Sequence, residues 1–187
     1  MKHEFRYHLL ALLIIFIIIS VFLVILRVNN IKIISVFLGL FLGSFILDID
    51  HFIFWFFLKP NLEESRLVRL ALKHYNFKSV CHILKTSHRS HHNLIFHHYF
   101  FQVILTLFSF FIFTLTNNLF IFSFIVAMNL HLLVDEIIDY FYNPNILQNW
   151  LFAREETQLP VKFLNRYIFM FLIFFVIFII FMIYSQL

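Results

Sequence analysis

Asp and His side chains concentrate in three short segments of this chain: Asp48-Ile49-Asp50-His51, the run from His88 to His98, and His131-x3-Asp135. Each adjoins a long apolar stretch, where carboxylates and imidazoles are costly unless they pair or hold a cation. His131 and Asp135 stand four residues apart. On a helix they project from one face, one turn apart, and form a two-ligand platform for a metal. Asp139 continues that stripe. Asp48 and His51, at i and i+3, have the same potential, whereas Asp50 points elsewhere unless the helix breaks there. His88 and His92 are again spaced i, i+4, and His97 follows within the next apolar stretch.

Oxygen and imidazole donors without thiolate suit a divalent Zn, Mn or Fe ion. Such a site lowers the pKa of a bound water and supplies hydroxide at neutral pH. The metal reading therefore takes Asp48, His51, His131 and Asp135 as ligands, with His88, His92 or His97 completing the set. Asp50 is left as the candidate general base. Arg89, inside the His run, suits a phosphate or carboxylate group. Two other readings of the same residues stay open: a structural polar network, and a path for protons or ions. His3, His8, His74, His82, His91 and His98 read individually as ordinary amphipathic residues near headgroups.

The elements that must position these residues are membrane helices. Of 187 residues, 62% are hydrophobic and 13% charged, which is more apolar surface than a water-soluble domain of this size can hide. A span needs about 20 apolar residues as a helix. Five segments qualify: 8–26, 33–51 with an apolar extension to 58, 94–116, 118–138 and 166–185. Their runs are continuous rather than alternating, which argues against a closed barrel. Asn29-Asn30 and Asn117-Asn118 mark tight breaks, and the second predicts an antiparallel hairpin of the third and fourth spans. The second span is expected to end near Asp48, with Phe52 to Leu58 at the interface or re-entrant. Residues 61–86 read as a short amphipathic helical hairpin on the cytoplasmic side. Asn61-x-x-Glu64 serves as its capping box, and the apolar faces run Leu67, Leu70, Ala71, His74 and Phe77, Val80, Cys81, Leu84. The whole chain reads as one integral membrane domain, all-α and polytopic.

Charge gives an orientation. With the N-terminus inside, 12 of the 14 Lys and Arg fall on the inner side, and only Arg27 and Lys32 fall outside. The positive-inside rule then predicts a cytoplasmic N-terminus and an outer C-terminus in the inner or plasma membrane. The same rule accounts for the net charge of +4 without a nucleic-acid partner. Lys2 and Arg6 precede the first apolar run as in a signal peptide. That run is too long for one and lacks a small-residue cleavage site, so it reads as a retained helix. The single Cys81 excludes an intrachain disulfide and a Cys-rich zinc site. On this topology all three Asp/His clusters share one membrane depth, which predicts one shared site.

The ordered set Gly43-Ser44-x3-Asp48-Ile49-Asp50-His51, a later His88-Arg89, and His131-Leu-Leu-x-Asp135 resembles the predicted membrane-bound metal-dependent hydrolases. That family shows Pro-Asp-x-Asp-His, His-Arg-Gly-x-Thr-His-Ser and His-x3-Asp segments, and the match covers residues 39–139. The resemblance carries over Asp48, Asp50, His51, His131 and Asp135. It implies metal-dependent hydrolysis of a phosphoester, ester or amide, with a lipid as one candidate substrate. The middle motif departs from the family: Ser90 replaces the glycine, and His92 falls one position short of the second His. Leu47 also stands where proline is expected. A second resemblance is to membrane fatty-acid desaturases and hydroxylases, whose His boxes bind two irons. It rests on His88-x-x-His91-His92 and His92-x4-His97. The third segment here, His131-x3-Asp135, is not a His box.

Overall fold

The computed structural model describes residues 4–87, 91 and 93–187, with the side chains of residues 4 and 5 left aside. Among the described residues the protein is all-helical. Its elements are α1 (Glu4–Ile25), α2 (Asn30–Ile46), α3 (Ile49–Ile53) running into a π-helical turn (Phe54–Leu58), α4 (Glu63–Lys73) and α5 (Phe77–Ser87). They continue with α6 (Tyr99–Leu115), α7 (Leu119–Tyr142), α8 (Pro144–Leu151) and α9 (Leu164–Tyr184).

Four helical stretches are long and apolar enough to cross a membrane: Arg6–Ile25, Asn30–Leu58, Leu119–Tyr142 and Val161–Tyr184. Their outward side chains are apolar and bare, as at Val24 (61% exposed) and Phe169 (62%). That surface needs hydrocarbon, not water, as its solvent. The expected third span is shorter than 94–116. Helix α6 begins only at Tyr99 and has 17 residues, about 25 Å of helix at 1.5 Å per residue.

Helix α7 is the axis of the bundle, with α1, α2, α6 and α9 packed around it. The only two glycines of the chain, Gly39 and Gly43, stand one turn apart on α2 and face α7. A Cβ on Gly39 would lie 2.1 Å from Ser123 Oγ, and one on Gly43 2.2 Å from the Phe124 carbonyl oxygen. Small residues at this spacing let two apolar helices touch backbone to backbone. The contact fixes where the C-terminal end of α2 meets α7, and the candidate site is built there.

Asparagine side chains set the breaks between helices. Asn29 accepts the Ile31 amide at 3.0 Å and caps α2, and Asn118 accepts the Phe120 amide at 2.9 Å and caps α7. Asn76 does the same at α5, accepting from Ser79 N at 3.1 Å. The expected capping box at Asn61 does not form: α4 begins one residue later than it requires, with Leu62 at the N-cap and no side-chain cap. Helix α8 was not foreseen. Asn143 accepts the Asn145 amide at 3.0 Å, and Pro144 occupies the first turn, a standard start signal.

The ends of the bundle confirm the alternation of direction. At one end the α1–α2 connection, the α6–α7 connection and the end of α9 meet: Lys32 Nζ donates to Gln186 Oε1 at 3.1 Å, and Gln186 Nε2 to the Asn117 carbonyl at 3.3 Å. At the other end lie the start of α1, the end of α2, the linker into α6 and the C-terminal half of α7. Every described residue of the three sequence clusters sits there.

Candidate metal centre

The α2–α7 contact brings the last turn of α2 against His131. Ser44 is in that turn, where carbonyls lack an intrahelical partner. Its carbonyl oxygen accepts from His131 Nδ1 at 2.7 Å. A carbonyl can only accept, so Nδ1 carries the proton and Nε2 is turned toward the acids. Nε2 stands 3.2 Å from Asp135 Oδ2, one turn along α7, and 3.8 Å from Asp48 Oδ1. His131 Nε2 and Asp135 Oδ2 are both buried, and neither has a well-formed hydrogen bond among the described residues.

Asp135 gathers two further imidazoles. His8, from the first turns of α1, lies 2.9 Å from Oδ1 through its Nε2, and its ring centroid is 4.5 Å from that of His131. His97, from the linker before α6, points Nε2 at Oδ2 across 3.6 Å. His8, His131 and Asp135 offer ligand atoms that all lie within 4.8 Å of one another. Nitrogen and carboxylate donors converging around two buried atoms that lack a well-formed hydrogen bond fit a divalent cation.

Asp50 stands behind His97. Helix α2 stops at Ile46, and a tight turn at Leu47-Asp48, whose Asp48 amide bonds three residues back, leads into α3. The Asp50 carboxylate, fully buried, accepts the amides of Ile95 at 3.0 Å and Phe96 at 2.5 Å and faces His97 Nδ1 at 3.3 Å. Three donors face it, so the geometry gives Asp50 a holding role in the linker. It ties the linker down in a non-helical path, with Asn93 at φ 72°, which is why α6 starts late. It also faces His97 Nδ1 and so fixes the direction of that ring. Burial alone would lower the His97 pKa. Pairing with the Asp135 and Asp50 carboxylates outweighs it and raises the imidazole to about 9.

His51 turns to a different set of partners from Asp48, although its amide still bonds back to the Asp48 carbonyl at 3.2 Å. Its Nδ1 meets His91 Nδ1 at 2.7 Å, and His91 Nε2 meets Glu64 Oε1 of α4 at 2.7 Å. His97 lies between the two groups, its ring centroid 5.7 Å from His51 and 5.6 Å from His131. Asp139, on the same stripe as His131 and Asp135, accepts from Trp150 Nε1 of α8 at 2.9 Å.

Of the residues expected as ligands, Asp48, His97, His131 and Asp135 come together, and His51 sits one histidine away. His88 and His92, with Arg89, lie outside the described residues. Sequence reasoning passed over His8, His91 and Glu64. A signal for His8 existed: it enters the first span at the depth assigned to the other clusters. A lone histidine there also reads as an ordinary interfacial residue.

An all-helical protein with at least four helices fit to cross a membrane, and a buried His/Asp group at one end, is the class that fold and site define. No protein-family model, curated protein or solved structure matches the chain.

Proposed function

We propose that the protein is an integral membrane protein whose His131, Asp135, His8, Asp48 and His97 hold a divalent metal, and that it acts as a metal-dependent hydrolase. One observation carries the metal reading. His131 has committed its Nδ1 proton to Ser44, so its Nε2 lone pair and the Asp135 Oδ2 lone pairs face each other 3.2 Å apart in a buried space. A cation between them satisfies both. Zn, Mn or Fe suits this donor set. When bound, such an ion supplies Lewis acidity and hydroxide at neutral pH.

The protein's own groups divide the remaining work. Ser44 fixes the His131 tautomer, and Asp50 orients His97. Asp48 is the most open acid of the group, with a third of its side chain exposed (32%). Asp48 therefore marks the side from which water and a substrate would enter. The resemblance of Asp48-x-Asp50-His51 and His131-x3-Asp135 to predicted membrane-bound metal-dependent hydrolases supports hydrolysis of a phosphoester or related bond. The position of the group at a helix-bundle end favours a lipid as its carrier. The desaturase reading is weaker, since acids and not further histidines complete the group.

The topology proposed is five spans, α6 being the short one, in the inner or plasma membrane. The 12-to-2 split of Lys and Arg supports a cytoplasmic N-terminus and site, with the C-terminus outside.

Elemental analysis of the purified protein and of His131→Ala tests this reading. Stoichiometric Zn, Mn or Fe in the native protein, lost in the variant, is the expected result. No metal in either leaves a purely structural His–Asp network, and equal metal in both removes His131 from the site.

A further inference from the structure

Helices α4 and α5 carry an open surface that the candidate metal centre does not use. Helix α4 turns Glu64, Ser65, Val68 and Leu72 toward the bundle, with Ala71 partly buried beside them, and Val68 packs with Phe54, Trp55, Val80 and Leu94. The stripe Leu67 (49% exposed) and Leu70 (54%) is left bare. It lines an open groove of about 810 Å³ with Ala71, Lys78 and His82. Tyr75 and Phe77 at the hairpin tip are barer still.

Cations are interleaved with these apolar side chains. Arg66, Arg69, Lys73, Lys78 and Lys85 are all exposed on the two helices, and the only acids there are Glu63 and the inward-turned Glu64. Apolar side chains alternating with Lys and Arg on one exposed face form the pattern of a helix lying in a headgroup layer. Each cation near an anionic leaflet adds attraction that falls off within a Debye length. The segment before the hairpin points the same way, since Phe57 at 79% is among the barest side chains of the molecule.

We propose that the outer face of the α4–α5 hairpin docks on anionic phospholipid headgroups of the bilayer that the chain spans. Leu67, Leu70 and Phe77 enter the interface, and Arg66, Lys73, Lys78 and Lys85 bind phosphate. Arg69 is excluded from that set because its guanidinium donates to the Pro60 carbonyl and holds the start of the hairpin. Glu64, on the opposite face of α4, reaches His91 and through it His51. One short helix therefore joins the docked surface to the edge of the candidate centre.

The proposal rests on the membrane reading and is independent of any metal. The whole protein is placed in nanodiscs of phosphatidylcholine, with and without phosphatidylglycerol, and amide exchange is followed over residues 63–87. Failure to enter nanodiscs would remove the membrane reading itself. The expected result is at least about tenfold slower exchange in the anionic discs, reversed by high salt. The combined variant Arg66→Gln, Lys73→Gln, Lys78→Gln and Lys85→Gln should abolish that difference. Exchange that is equal in the two disc types, fast or slow, overturns the proposal. So does slowing in both disc types on addition of polyglutamate alone, which would assign the surface to an acidic protein. The comparison of lipids on the native chain stands even if the variant does not fold.

Discussion

The Nδ1–H of His131 donates to the carbonyl oxygen of Ser44 at 2.7 Å, across the contact between α7 and α2. This bond ties helix packing to chemistry. It exists because Gly39 and Gly43 let α2 lie against α7, and it decides which nitrogen of His131 is turned toward Asp135.

Gly43→Ala therefore damages more than packing. The new Cβ would sit 2.2 Å from the backbone oxygen of Phe124, which cannot swing aside. The expected cost is about 1–3 kcal/mol, as for other overpacked contacts. Thermal unfolding in detergent measures the loss, and metal content should fall with it because Ser44 moves. A variant as stable as the native protein would show that the glycines do not set the helix contact.

Asp50 separates two roles. As a carboxylate that holds His97 and the linker, its replacement by Ala should weaken metal binding by about 10–100-fold and leave a loaded site. Titration with a competing chelator reads this directly. If Asp50→Ala instead bound metal normally and lost only turnover, Asp50 would be the base after all.

His97 gives the site a pH dependence. Its imidazole is raised to about 9 by Asp135 and Asp50, against burial. A proton therefore occupies it at neutral pH in the absence of metal, and metal binding must displace that proton. Apparent affinity should rise by about tenfold per pH unit up to pH near 9 and then level off. The sign for stability is opposite. A pKa raised on folding stabilises the metal-free protein fully below the ordinary histidine value, and that contribution is lost as pH rises through about 9. His97→Ala should flatten both profiles, and an unchanged slope in the variant would assign the proton elsewhere.

His8→Ala tests a residue that the structure alone brings forward. With its Nε2 2.9 Å from Asp135, removal should weaken metal binding by at least about tenfold. The same substitution at His74, which is exposed on the hairpin, should have no effect on it. Equal metal affinity in both variants would return His8 to the interfacial role that its sequence position suggests.

The sequence made some of this legible, for physical reasons. His131 and Asp135 were readable because helical periodicity alone fixes their shared face. The common end of the bundle was readable because consecutive apolar helices joined by short breaks must alternate in direction. The break after Ile46 was foreshadowed by Asp48 within an apolar run. Contacts between segments were not readable. Nothing local joins Glu64 to His91, or Asp50 to the amides of Ile95 and Phe96. Those amides shorten α6 at its start, which a hydropathy window cannot register. The inward face of α4 was not readable, because Leu67, Leu70 and Ala71 form the better apolar stripe and only Ala71 of the three packs inward. Glu64 and Val68 win the inward side through their partners in the bundle.

X-ray absorption at the metal edge of the purified native protein is the most direct test of the central claim. The account predicts a bound Zn, Mn or Fe with two or three imidazole nitrogens and carboxylate oxygens at about 2.0–2.2 Å. A shell of oxygen alone, or a protein that takes up no metal, would contradict it.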